Sequence, residues 1–416
     1  MMYISRELSL GLILRALTLL SKFLLVFTIA GGGNNDILII YTVFFSIISY
    51  SVYFVNFDLY TYSTRKIAKA NKVERFSYVY KHVISTFLIC IFTLPSIYIV
   101  FEFGLLKFEY VYFFYFILLL EFFTTEVYRF MVACHQPDMA LRYLFFKSGI
   151  WPIFYSILYY IGLFDSIESL LIVWLVILAL VLLLGVKKVG FLCEGRFSDR
   201  FDFSYIKKAL KVALPLLIST LAIRGIFTFD KIFLSEYDDA NFVAAYMFFS
   251  NISNAILAFL DASVLIALLP KLVSSYDDEL KFSHEFRVGV SKTIFVSMFL
   301  SIAVVVFCFL VIKLPKYSYF SEYFYLSIVI SLSIFFLGVS FVYSIYFYSI
   351  GKDVFNIVIN VTCFSVFFIL CLTFDDKKLV PYYVLGGCFF LLLLKFIACL
   401  YCGSEKIRNE DGRHAQ

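Results

Sequence analysis

Arg15, Lys22, Arg129, Lys147, Arg224, Lys231 and Lys395 stand, with Glu121, Glu126, Asp230 and Asp261, inside stretches that are otherwise almost continuously apolar. A charge near the middle of a bilayer costs at least about 2.5–3.5 kcal/mol on insertion scales, so such a group is paired, reaches for the interface, or lines a water-filled cavity. The excess here is cationic. Arg presents a planar fork to phosphate or carboxylate and Lys a point charge, so a cavity lined by them offsets the dehydration of an entering anion. Arg15, Lys22, Arg129 and Arg224 are therefore the candidate ligands of an anionic or amphiphilic solute. Glu121, Glu126, Asp230 and Asp261 are candidates either to carry a coupling proton or to neutralise these cations. Glu126 and Arg129 are i,i+3 on one helix, and Asp230 could meet Arg224, Lys22 or Lys147. Lys147 and Lys231 lie towards the ends of their stretches, where a lysine ordinarily snorkels to the interface.

The elements that must position these groups are membrane helices. Of the 416 residues, 62% are hydrophobic and 16% charged, and the mean hydropathy is +0.92, outside the range of a water-soluble domain. A spanning helix needs about 20 apolar residues, and hydropathy marks about twelve such spans, one of them over 143–164, joined by short connections. The expected fold class is an all-α polytopic membrane protein of two six-helix lobes: 1–186, a linker over 187–211, and 212–416 with a short tail. Most of the 35 basic residues fall on one side of such a chain, among them Arg65, Lys66, Lys187, Lys188, Lys207 and Lys208, while Glu236, Asp238 and Asp239 fall on the other. By the positive-inside rule both termini are cytoplasmic. The outer loops, such as Gly31 to Asp36, leave no room for a catalytic domain.

The two halves begin alike. Leu14-Arg15-Ala-Leu-Thr-Leu-Leu-Ser-Lys22 aligns with Ile223-Arg224-Gly-Ile-Phe-Thr-Phe-Asp-Lys231, each placing Arg seven residues before Lys on one helix face. Such internal repeats are common in secondary transporters. Signatures of other chemistries are missing from the sequence. His82, His135, His284 and His414 form no metal-binding spacing, no phosphate-binding GxxxxGK[ST] loop occurs, and the lone CxxC at Cys399 and Cys402 reads as apolar filler. The expectation is no catalytic residue, no metal, no cofactor and no nucleic-acid partner. The 53 Phe and 31 Tyr, against 2 Trp, suit interfacial belts and lipid-facing surface.

The second half opens with Lys207-Lys-Ala-Leu-Lys-Val-Ala-Leu-Pro215, followed by Phe229-Asp-Lys-Ile-Phe-Leu234, Val243-Ala-Ala-Tyr246 and Leu268-Leu-Pro-Lys271. This pattern resembles the polysaccharide-transporter branch of the multidrug, oligosaccharidyl-lipid and polysaccharide flippases, best known from the Wzx-type O-antigen flippases. Ala244 stands where the family carries Gly in Gly-x-Tyr. The resemblance implies a MATE-like inverted V of two lobes around a cationic cavity. It also implies alternating access and an undecaprenyl-diphosphate-linked oligosaccharide as cargo, in a bacterial inner membrane with a polymerase and a chain-length regulator as further partners. Rival readings are an O-antigen polymerase, which the short outer loops disfavour, and an exporter of another small amphiphile, which should carry an acidic cavity. A major-facilitator transporter would show a Gly-x-x-x-Asp-Arg-like turn, which the segment Thr61 to Asn71 lacks.

Overall fold

The computed structural model describes residues 2–192, 203–276 and 278–414, and among them it is all helix and turn. Part of the expected linker, 193–202, lies outside the described residues. The helices are α1 (Met2–Gly31), α2 (Asn35–Val55), α3 (Tyr60–Lys69), α4 (Lys72–Ser96), α5 (Ile99–Glu102), α6 (Val111–Ala133), α7 (Pro137–Ser148), α8 (Ile150–Tyr160), α9 (Ile167–Leu192), α10 (Phe203–Ser235), α11 (Ala240–Leu260), α12 (Ile266–Ser274), α13 (Glu279–Ile312), α14 (Tyr325–Ser349), α15 (Asp353–Thr373) and α16 (Val380–His414). Eleven helical segments among the described residues are long and apolar enough to cross a membrane, so the chain is a multi-pass membrane protein.

The expected fifth span differs. It is two shorter helices, α7 and α8, meeting at Gly149. Pro152 has no amide to donate into the preceding turn. A Cβ at Gly149 would sit 2.8 Å from the Phe145 ring, so the close turn tolerates only glycine there. Helix starts follow local chemistry. Asn71 and Glu74 form a reciprocal capping box at α4, with Asn71 Oδ1 accepting from the Glu74 amide at 2.9 Å, and the Asp239 carboxylate caps α11. Many serine and threonine hydroxyls inside the spans donate to their own helix, as where Ser21 donates to the Leu17 carbonyl at 2.6 Å and Thr28 to that of Leu24 at 2.7 Å.

The chain divides into two compact units, Met1–Leu221 and Ala222–Gln416. In the first, α6 packs on α9, α2 and α7, and α1 packs on α7 and α8. Its core is aromatic: Trp151 and Trp174 stack with centroids 4.8 Å apart, and Phe44 meets Phe114 edge-on at 5.7 Å. In the second, α14 is the central helix, packed on α11, α13 and α16. Next to it α11 is covered almost throughout, its Phe248 stacked on Phe320 at 4.8 Å. Helix α13 lies at the edge, with Phe295, Phe299, Ile302 and Leu310 exposed as a lipid-facing surface would be.

Candidate functional site

The intramembrane charges gather into separate clusters. The first lies in the amino-terminal unit, where α3, α4, α6 and the start of α10 meet. Glu126 is buried on α6, and its two carboxylate oxygens take different partners: Arg129 Nη1 at 2.6 Å and His82 Nε2 at 2.8 Å. A carboxylate only accepts, so His82 Nε2 is the donor. On the far side of the ring, His82 Nδ1 lies 2.7 Å from Ser63 Oγ, which is 2.8 Å from the Tyr205 hydroxyl. Arg129 stacks over Tyr60, its Cζ 3.5 Å from the ring centroid, with Tyr53 at 5.5 Å. The guanidinium therefore has a fixed plane, a carboxylate on one edge, and donors left over on the other.

The second cluster, in the same unit, joins α1, α2, α6, α7 and α9. Lys147 Nζ pairs with Glu121 Oε2 at 2.7 Å and donates to Thr125 Oγ1 at 2.5 Å. The other oxygen, Glu121 Oε1, accepts from Trp174 Nε1 at 3.1 Å. Lys22 approaches the same place from α1, its ammonium 5.4 Å from the Phe45 centroid, and its charge is felt with those of Glu121 and Lys147. Among the described residues Lys22 has neither an ion pair nor a hydrogen bond. With Lys147 already matched to Glu121, the cluster carries one surplus positive charge, held at Lys22 beside an aromatic wall.

The carboxy-terminal unit holds the third cluster. Asp230 and Lys231, neighbours on α10, are both buried; Lys231 Nζ lies 3.3 Å from each carboxylate oxygen and donates to the Phe227 carbonyl at 2.6 Å. The Tyr246 hydroxyl donates to Asp230 Oδ2 at 2.5 Å. Lys395, fully buried on α16, donates to Ser344 Oγ at 2.7 Å and has no carboxylate partner among the described residues. Neither lysine named for snorkelling does so: Lys147 and Lys231 both turn inward to a carboxylate one side chain away, which costs less than leaving that carboxylate alone in an apolar bundle. Within this unit Asp230 meets Lys231 and Tyr246 rather than Arg224.

With the helical fold and these clusters in view, the sequence profile of a family described as "Polysaccharide biosynthesis protein" matches residues 39–276, more than half of the chain. The chain belongs to this family. Its fold is similar to that of the inward-facing conformation of a multidrug resistance MATE family transporter of the MOP superfamily, at 14% identity and a TM-score of 0.67, covering 97% of this chain and 98% of the other. It is equally similar to the lipid II flippase MurJ in an inward closed conformation, at 14% identity and a TM-score of 0.68, covering 94% and 87%. A MATE transporter, ClbM, in complex with Rb+ matches at a TM-score of 0.59, 14% identity, and 94% and 91% coverage. Comparison with curated protein sequences found no match.

In this member of the polysaccharide biosynthesis family the remaining predicted residues differ in exposure. Arg15 is half-buried on α1, Arg224 is exposed on α10, and Asp261 is exposed where α11 widens before α12. The paired Arg-x6-Lys segments thus diverge: Lys22 is half-buried without an ion pair, whereas Lys231 is sealed against Asp230. Sequence reasoning missed His82 and Trp174 as partners of the acidic groups, and Ser63 and Tyr205 behind His82. A signal for His82 was present. His82, Thr86 and Thr93 recur at spacings of four and seven along α4, a polar stripe facing inward, and Thr93 Oγ1 donates to the Val55 carbonyl at 2.8 Å.

Proposed function

We propose that this protein is a flippase that carries undecaprenyl-diphosphate-linked O-antigen or related polysaccharide repeat units from the cytoplasmic to the periplasmic leaflet, exposing a cationic site to the two sides in turn. The observation that carries the proposal is Lys22, a lysine without an ion pair in a membrane-buried cluster of a polysaccharide biosynthesis family member. Lys22 has the Phe45 ring and the charge of the nearby Glu121 to stabilise it but no direct counter-anion, and an anionic cargo supplies that partner. The diphosphate supplies that charge, while the lipid tail stays in the bilayer. Of the other expected ligands, Arg129 offers its free edge, and Arg15 and Arg224 are kept as candidates, each within its own unit. Glu121, Glu126 and Asp230 already have partners, which favours structural neutralisation over proton carriage for these three. Asp261, exposed where α11 widens before α12, is kept as a candidate for proton coupling or structural pairing.

In this reading the protein performs no covalent chemistry and resides in a bacterial inner membrane with both termini cytoplasmic. Its lobes are 1–186 and 212–416 about the linker 187–211, and it works beside a polymerase and a chain-length regulator. The test uses proteoliposomes loaded with lipid-linked oligosaccharide on one leaflet, read by its accessibility to an external sugar-modifying reagent. Wild-type protein should expose the internal pool over time. Lys22→Gln should slow this at least about tenfold, the scale of one lost charge-assisted contact, and Arg15→Ala and Arg224→Ala should each slow it. Wild-type rates in all three variants would rule the site out.

A further inference from the structure

A cavity of about 450 Å³ opens in the amino-terminal unit between α6, α7 and α9. Met131, Tyr143 and Val181 form its buried wall, and Phe146 and Leu184 stand exposed at its rim. Two cations also line it, Arg142 from α7 and Lys188 from α9, both exposed and neither in an ion pair or hydrogen bond among the described residues. The single carboxylate in the lining, Asp138, sits in the first turn of α7, where the free amides of the helix start stabilise it, and the cavity keeps a net positive charge.

The order of these residues along the helices gives the cavity two ends. On α7, Arg142 precedes exposed Phe146 by four residues, one turn. On α9, which returns after the turn at Gly162, exposed Leu184 precedes Lys188 by the same interval. Because the chain runs in opposite senses on the two helices, both cations lie at one end and both apolar side chains at the other. The inner wall is closed by Tyr143, a buried residue whose ring lies so close to α9 that a Cβ at Gly185 would be 2.6 Å from the hydroxyl oxygen, so the polar groups open to the cavity are those at its cationic end.

We propose that this cavity is a binding site for a lipid-borne phosphate, with Arg142 and Lys188 holding the phosphate and Phe146 and Leu184 the first segment of its hydrocarbon chain. Arg and Lys together give a phosphate a planar fork and a point charge, and the apolar end is open to the lipid that such a molecule comes from. The phosphate has two sources in a membrane, an anionic glycerophospholipid or a polyprenyl phosphate, and the site stands whether or not the protein flips a cargo.

The experiment is native mass spectrometry of the purified, delipidated protein titrated separately with phosphatidylglycerol, a polyprenyl monophosphate and diacylglycerol, which lacks phosphate. At least one phosphate lipid should bind saturably. The double variant Arg142→Gln, Lys188→Gln should bind it about tenfold more weakly. Lys281→Gln, Lys292→Gln, which removes two exposed lysines of the other unit, should bind as the wild type does. Selective loss of phosphatidylglycerol binding assigns the site to a bilayer lipid, and selective loss of polyprenyl phosphate binding assigns it to a prenyl carrier. Equal affinity in the two double variants, or diacylglycerol binding as tightly as the phosphate lipids, overturns the proposal. All the substitutions are on exposed side chains, and a single symmetric elution peak establishes that each variant is folded.

Discussion

Glu126 and Lys22 show how two charged side chains in one helical unit come to differ in role. Glu126 is gripped from both sides, by Arg129 at 2.6 Å and by His82 at 2.8 Å. Removing one partner of a buried pair strands the other, which costs about 3–5 kcal/mol. Glu126→Gln should therefore lower the thermal unfolding midpoint in detergent by several degrees, and adding Arg129→Gln should recover part of the loss. An unchanged midpoint in Glu126→Gln would show that the pair holds nothing together. Lys22 has no such pair to break, so Lys22→Gln should leave the midpoint near the wild-type value while transport falls. Lys147→Gln, which strips Glu121 of its counter-ion, should show the reverse priority, with stability lost first. The Glu126–Arg129 contact was legible in the sequence because i,i+3 spacing on a helix places the two side chains together. The contacts of His82 were not, since Ser63 and Glu126 reach it from other helices, 19 and 44 residues away.

Helices are where the sequence is easiest to read and also where it hides single-residue events. Hydropathy sees length and composition, so it finds spans as apolar as α9 and α14 directly. It cannot see the break at Gly149, because α7 and α8 on either side are part of one apolar run. It is also blind to the reason Gly185 is glycine: Val127 and Tyr143 come from α6 and α7 to fill the space a side chain would take. Gly185→Ala places a methyl 2.6 Å from Tyr143 and 2.7 Å from Val127. Overpacking of this kind costs about 1–3 kcal/mol, and a drop in the unfolding midpoint of the purified variant is the expected reading. Asn71→Ala removes the side-chain acceptor of the α4 capping box and should cost about 1 kcal/mol by the same measurement. This cap was available to sequence reading from Asn71 and Glu74, three residues apart ahead of an apolar run.

The chain as a whole is a multi-pass helical membrane protein of two compact units, in the polysaccharide biosynthesis family and with the fold of MATE transporters and of a lipid II flippase. Membrane class was legible because few other folds tolerate 62% hydrophobic residues. The family was legible through the spacing of Pro215, Asp230, Tyr246 and Pro270, residues that shape or pin helices rather than perform chemistry. The cargo was less legible, since a phosphate-binding surface needs only cations at the right depth and carries no fixed motif. The most direct measurement locates the lipid-linked oligosaccharide in oriented inner-membrane vesicles from the host with this gene deleted. A flippase requires single repeat units confined to the cytoplasmic leaflet, released to the other leaflet when the wild-type gene is restored and retained when Lys22→Gln is restored instead. Repeat units displayed on the periplasmic leaflet but never joined into chains would contradict it and assign the protein to polymerisation.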